Sequence, residues 1–352
     1  MPAEPDAFAA FLEVAAAAPA ALRASRPGLA EIDDADAEVY LAALIDGATQ
    51  FVAADPARPA FVPWVTPTRR WMDNGRDSVY WMAPVDGSHR YRVSGRRGDE
   101  CYLSFTVYAG DPGHPETVAL NRNHLDLGAG PGTTFSFDID PPADACYVIS
   151  RQYFTGPLSD RAGEFTIEVL SGPAPDVGPS ALAARWEAAT GFLRAMTSPP
   201  VAGRRPPAYV STTPNVMGDP AAWSEAEGGG RGTPDQTYAL GPYALGPDEA
   251  LVMDVAFPPC AYASAAVWNR FSQTVDRRFH RSTINHTEAA AGRDGSTRLV
   301  VAHDDPGVPN WLETGGRPRG TVFWRFLLAE RPPSPITCRV VPVRAVASLP
   351  AG

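Results

Sequence analysis

Two hydrophobic periods divide the chain. Over residues 36–54 the apolar positions Leu41, Leu44, Ile45, Ala48, Phe51 and Val52 recur at helical spacing behind the acidic cluster Asp33, Asp34 and Asp36, which is the pattern and the start signal of an amphipathic helix. A further helix is predicted over 6–21, stopped near Arg26, Pro27 and Gly28. The two form a helical cap whose apolar face has to pack on something downstream. From residue 78 the period becomes two. Cys101, Leu103, Phe105 and Val107 alternate with Tyr102, Ser104, Thr106 and Tyr108; Phe135, Phe137 and Ile139 alternate with Ser136 and Asp138; Phe165, Ile167 and Val169 alternate with Thr166 and Glu168. These read as half-buried strands. Turn formers at Asp86-Gly87, Gly95, Gly98, Asp111-Pro112-Gly113 and Pro131-Gly132 separate them at short intervals, which favours an antiparallel sandwich over βαβ units.

A helical stripe of Leu182, Trp186, Ala189, Leu193 and Met196 follows Pro179-Ser180 and stops at Pro199-Pro200. Beyond it, residues 201–249 are rich in Pro and Gly, with a run at Gly228, Gly229 and Gly230, a stretch too long for a plain connector and therefore a candidate lid or crossing loop. Strand periodicity returns at Leu251, Met253, Val255 and Phe257 and continues through 261–271, 298–303, 320–328 and 338–343. The expected fold is mainly β: two antiparallel β-sandwich, jelly-roll-like halves with an N-terminal helical cap and one linking helix. The expected boundaries are 1–70 for cap and linker, 71–175 for the first sandwich, 176–249 for the linking helix and long loop, and 250–352 for the second sandwich. The halves echo one another. A strand, an acidic-proline turn and an aromatic strand with a central arginine occur once around Arg151 and again around Arg325, an internal duplication in outline.

Length adds only that 352 residues suit about two domains. Charge excludes more. A formal net charge of −10 repels phosphate backbones, so nucleic acid is not an expected partner. Every basic residue is Arg, a composition bias that weakens any single arginine as a functional signal. The first residues include Glu4 and Asp6 rather than a basic stretch, unlike a secretory signal. No run of about 18 apolar residues is uninterrupted, and a cytoplasmic location without membrane contact is the expectation. Cys101, Cys146, Cys260 and Cys338 lie far apart and read as reduced, core-like residues.

The chain carries no GxSxG, GxxxxGK[ST], HExxH or strand-linked GxGxxG pattern, so the common hydrolase, kinase and dehydrogenase chemistries lose their support. Polar residues are densest at His280, Arg281, Asn285 and His286, with His303, Asp304 and Asp305 following. His280, His286, His303 and Asp305 are the candidate catalytic set. Two histidines and a carboxylate can hold a metal, but no metal site is assigned and no cofactor is indicated. Trp268, Arg270, Arg281, Asn285, Asn310, Trp311 and Arg325 are the candidate ligand-binding residues. The structural alternatives are plain: histidines holding loops, Asp304 and Asp305 forming a tight turn before Gly307, Trp311 filling core, and Arg325 pairing internally. In the first half, Asn121, Asn123 and His124 line either a matching pocket or a surface loop.

The run AHDDPGVPNWLETGG beginning at Ala302, followed by an aromatic strand with an arginine, resembles the bacterial family known as domain of unknown function 1214. The stretches at 268–289 and 77–98 are similar to other parts of that family. The resemblance covers the chain from about residue 70 onward, and it implies paired jelly-roll sandwiches and no particular activity. The functional expectation is a small-molecule-binding protein with an apolar pocket in the second sandwich, open to an enzymatic role in secondary or lipid and steroid metabolism. The alternative is a non-catalytic carbohydrate-binding or assembly protein, in which a homo-oligomer would be natural.

Overall fold

The computed structural model describes residues 6–72, 75–112, 117–156, 162–198, 205–224 and 232–350. The turn residue Gly113, the stop at Pro199-Pro200 and the run Gly228, Gly229 and Gly230 lie outside the described residues. The chain forms two compact units. The first gathers Met1–Arg69, Val79–Gln152 and Asp160–Arg204; the second gathers Arg70–Ser78, Tyr153–Ser159 and Arg205–Gly352.

In the first unit, α1 (Ala7–Ala24) starts where the Asp6 carboxylate accepts the Phe8 N–H at 3.0 Å, capping a free helix-end amide. Helix α2 (Glu31–Ala53) begins five residues before the expected span of 36–54, because Asp33 accepts the Ala30 N–H at 2.8 Å and three acidic residues occupy its first turn, where the helix dipole favours them. Helix α3 (Pro179–Thr197) buries Ala189, Phe192 and Leu193, while Leu182 stays exposed. By length and composition α1 would also suffice to cross a membrane; here Phe8 and Phe11 set their rings 4.8 and 5.1 Å from Trp186 of α3.

Eight strands make the first sandwich: β1 (Val62–Val65), β2 (Ser78–Pro84), β3 (Arg90–Arg96), β4 (Tyr102–Ala109), β5 (Thr117–Asn123), β6 (Thr134–Ile139), β7 (Ala145–Tyr153) and β8 (Glu164–Ser171). One sheet runs β1-β2-β7-β4-β5 and the other β6-β3-β8. Leu103, Phe105, Val107 and Val148 of the first sheet meet Tyr91, Val93, Ile139 and Ile167 of the second in one core. The alternation of β6 is half-buried as expected, but β4 is buried along its whole length. Its second face carries Tyr108, whose ring lies 5.5 Å from Tyr147. Tyr147 in turn belongs to a cluster with Phe51 of α2, and Phe51 reaches Trp64 and Phe192 of α3. The helices thus cover the outer face of the sheet around Tyr108 and Tyr147.

The second unit contains β9 (Ala221–Ala222), β10 (Gln236–Ala244), β11 (Glu249–Val255), β12 (Tyr262–Trp268), β13 (Thr283–Asn285), β14 (Thr297–Ala302), β15 (Trp311–Glu313), β16 (Arg319–Leu327) and β17 (Thr337–Pro342). Its sheets run β13-β12-β16-β10-β9 and β15-β14-β11-β17. Read from the other edge, the first is β9-β10-β16-β12-β13, which matches β1-β2-β7-β4-β5 strand for strand. The second repeats β6-β3-β8 as β14-β11-β17, with β15 added in parallel beside β14. The echo in the sequence is therefore a repeated topology: β7 and β16 are each nine residues long and carry Arg151 and Arg325 at the seventh position. In β16 the alternate residues Val322, Trp324 and Phe326 enter the inter-sheet core, which is filled by Leu251, Met253, Leu299 and Val301 from the facing sheet.

Candidate functional site

The residues singled out in the second half divide between its two sheets. One group surrounds the β14–β15 connection. His303 shares a hydrogen bond of 2.6 Å between Nδ1 and Thr314 Oγ1, and His280 Nδ1 lies 2.7 Å from Glu313 Oε1, so the two imidazoles attach to neighbouring residues of one turn. Asp305 accepts the Gly307 N–H at 2.8 Å, and Gly307 adopts φ +74°, a turn geometry suited to glycine. Asn310 donates to the carbonyls of Ala290 and Arg298 and accepts the Ala290 N–H. Trp311 Nε1–H donates to the Ala302 carbonyl at 3.2 Å while its ring packs on Val300 and Val346. The exposed Arg281 side chain donates to the Pro309 carbonyl at 2.6 Å. The second group belongs to the five-stranded sheet. His286 bonds to the Ala263 backbone, and burial holds its pKa below the usual histidine value despite that bond. Trp268 stacks on Phe323 at 4.1 Å, Arg270 lies in the turn that follows β12, and Arg325 is enclosed by the rings of Tyr153, Tyr238 and Phe323. Among the described residues no cluster of three or more His, Cys, Asp or Glu is placed to hold a metal ion.

Asn285 leads to a residue that the sequence gives no reason to choose. Its Nδ2 donates to Asp77 Oδ2 at 3.1 Å, and the Tyr262 hydroxyl donates to the same oxygen at 2.8 Å. Asp77 is 1% exposed. Among the described residues its Oδ1 accepts no hydrogen bond, and it lies 3.6 Å from Arg76 Nε. Burial raises the Asp77 pKa to about 6, against the opposing pull of the Asn285 and Tyr262 bonds.

A ligand-sized space lies in the first unit. Ala181, Ala184 and Ala188 recur along one face of α3, and small side chains at that spacing leave room beside a helix. With Phe51 of α2 and Ala54 just beyond it, Pro84 and Val85 at the end of β2, and Ala145 and Cys146 of β7, they wall a cleft of about 580 Å³. Its size and apolar lining are those of small-molecule sites.

Polar groups stand at the cleft in two places. At the β2–β3 turn, Asp86 Oδ1 accepts from the Ser88 N–H at 2.9 Å, from the Ser88 hydroxyl at 2.7 Å, and lies 2.7 Å from His89 Nδ1. The buried His89 places its Nε2 3.1 Å from the Pro173 carbonyl. Burial pushes the Asp86 carboxyl upward, but the His89 and Ser88 bonds outweigh it and hold the group below the ordinary carboxylate range. Across the lining, Arg185 Nη2 lies 3.5 Å from Asp55 Oδ1 and donates to the Asp176 carbonyl.

Gly172 makes room for the His89 ring. Its φ is +150°, and a Cβ there would lie 2.2 Å from His89 Cδ2. Gly172→Ala is therefore expected to destabilise the protein by about 1–3 kcal/mol through backbone strain and displacement of the imidazole. Urea denaturation checks this, and an unchanged midpoint would show that the ring can move aside freely.

The cleft leaves little trace in the sequence. Its walls come from α2, β2, β7, α3 and the loops beside them, mostly alanines, prolines and single polar residues that look ordinary locally. The usable signal is Asp86-x-Ser88-His89, a turn that carries more hydrogen-bonding capacity than a hairpin requires.

No family model and no curated protein matches the chain. Among solved structures, an uncharacterised protein of Burkholderia cenocepacia superposes with a TM-score of 0.85 at 26% identity, covering 97% of this chain and 98% of that one. The VPA0106 protein of Vibrio parahaemolyticus is similar at a TM-score of 0.48 and 13% identity, over 86% of this chain and 98% of that one. A salicylate 1,2-dioxygenase of Pseudoaminobacter salicylatoxidans reaches a TM-score of only 0.21 at 10% identity, over 85% of this chain and 81% of that one. The fold is thus shared, over nearly the whole chain, with an uncharacterised bacterial protein, and no activity comes with the likeness.

Proposed function

We propose that this protein binds a small, largely apolar molecule in the cleft between α2, α3 and the sandwich edge of the first unit. A space of about 580 Å³ with alanine, proline and phenylalanine walls and a hydrogen-bonded Asp86–His89 pair at its lining carries the reading. Apolar walls supply binding energy at about 25 cal/mol per Å² of ligand surface removed from water, and the few polar groups fix orientation. The histidines of the second sandwich have no part in this reading, since each makes hydrogen bonds that hold a turn or strand. Kinship with the domain-of-unknown-function-1214 family, suggested by the turn from Asp305 to Trp311, belongs to the same proposal and adds no chemistry.

Cys146 lines the cleft and is half-buried, so it can report occupancy. A ligand seated there is expected to raise the melting temperature and to slow alkylation of Cys146 by iodoacetamide, read by mass spectrometry, without slowing alkylation of Cys260 or Cys338. Ligands that stabilise the protein while leaving Cys146 labelling unchanged would place binding elsewhere.

A further inference from the structure

Resting on that reading, we infer that the cleft is selective for a cationic amphiphile: a primary or secondary amine carried on an apolar body. Three carboxylates, those of Asp55, Asp86 and Asp176, line the cleft against one guanidinium, that of Arg185. Their hydrogen bonding is unequal. Asp55 is occupied, with Oδ2 paired to Arg58 Nε at 2.9 Å and Oδ1 accepting the Ala57 N–H and facing Arg185.

Asp86 directs all its bonds to Oδ1, and among the described residues its Oδ2 has no hydrogen-bond donor. Asp176 likewise uses Oδ1 to accept the Gly178 N–H at 2.8 Å and leaves its second oxygen without a donor among the described residues. The donors are fewer. Both nitrogens of His89 face acceptors, the Asp86 carboxylate and the Pro173 carbonyl, so the ring offers nothing to an anion. Arg185 faces Asp55 at 3.5 Å and the Asp176 carbonyl at 3.4 Å, both through Nη2.

An ammonium group entering the cleft therefore meets ready acceptors, above all Asp86, whose own hydrogen bonds keep it ionised. A carboxylate entering the same space meets one guanidinium flanked by three carboxylates. The net charge of −10 also favours the approach of cations. Ala181, Ala184, Ala188, Pro84 and Val85 supply the apolar bed for the rest of the molecule.

Three probes with one ring system separate ligand class from binding as such: naphthylmethylamine, naphthylmethanol and naphthoate, each titrated into the full-length protein with Cys146 alkylation as the readout. The amine is expected to bind about fivefold tighter than the alcohol, the advantage of one partly exposed charge pair. Asp86→Asn is expected to remove that advantage while the alcohol still binds. Because Asp86 also organises its turn, the unmodified protein gives a second measure: the preference for the amine should shrink as salt is added, and affinity for the alcohol should not. Equal protection by all three probes, or a preference for naphthoate, would overturn the amine selectivity and leave the cleft standing. Protection by none would overturn both.

Discussion

Replacing Glu100 by glutamine is expected to destabilise the first unit by about 3–5 kcal/mol, the usual consequence of leaving a buried charge without its partner. Glu100 and Arg97 are 1% and 5% exposed, and Arg97 Nε lies 3.1 Å from Glu100 Oε1. The pair is fully engaged. Arg97 Nη1 donates to the Ala129 carbonyl at 2.8 Å and Nη2 to the backbone carbonyl of Glu100, while Glu100 Oε2 accepts the N–H groups of Gly98 at 3.0 Å and Gly163 at 3.1 Å. It ties the turn between β3 and β4 to the loop before β6 and to the entry of β8. Glutamine keeps the shape and removes the counter-charge, so the guanidinium stays buried with its charge uncompensated. The contrast is Arg92–Asp138, a pair with 42% and 40% of its side-chain surfaces exposed; Asp138→Asn should leave the urea midpoint almost unmoved. Similar small shifts for both variants would show that water reaches the Glu100 site on a scale that the packing does not allow.

The second large effect is a dependence on pH at Asp77. The carboxyl titrates at about 6 in the folded chain against an ordinary 3.8, chiefly because burial disfavours its charged form. The sign follows from which state holds the proton. Between these values the folded chain binds more protons than the unfolded one, so this group's stabilising contribution is complete below about pH 4 and is lost as pH rises through 6. The shift is worth about 3 kcal/mol.

Arg76, Glu288, Tyr262 and Asn285 are the groups facing it, and Asp77→Asn removes the titration while keeping an oxygen for Tyr262 and Asn285. The stability of wild type relative to the Asn variant is therefore expected to fall by about 2 kcal/mol between pH 4 and pH 7.5. Parallel stability curves for the two proteins would mean that Asp77 is solvated and titrates normally.

Secondary structure was legible where a residue's fate depends on near neighbours. The stripe from Leu41 to Val52 and the alternation from Phe135 to Ile139 are statements about one helix face and one sheet face, and both elements form. The repeat was legible for the same reason, since Arg151 and Arg325 sit at matching places in strands whose local sequence is similar. Strand β4 was only half legible. Polar Ser104 and Thr106 promise a wet face, yet both are fully buried, and Thr106 accepts a hydrogen bond at 3.1 Å from Arg151, 45 residues away in sequence.

The polar residues near Trp311 drew notice by their density along the chain, but density in sequence is not convergence in space. Asn310 and His303 serve one sheet, Asn285 and Arg325 the other. The amino-acid pattern by itself determined the class of fold, the helices and the acidic character, while β10 (Gln236–Ala244) formed inside the stretch 201–249 that reads as a loop. Only tertiary structure decided that Asp77 is buried and that Phe51, Val85, Cys146 and Ala188 share a cleft. Periodicity records which way each side chain points, whereas a cavity or a shifted pKa depends on which distant surface it meets.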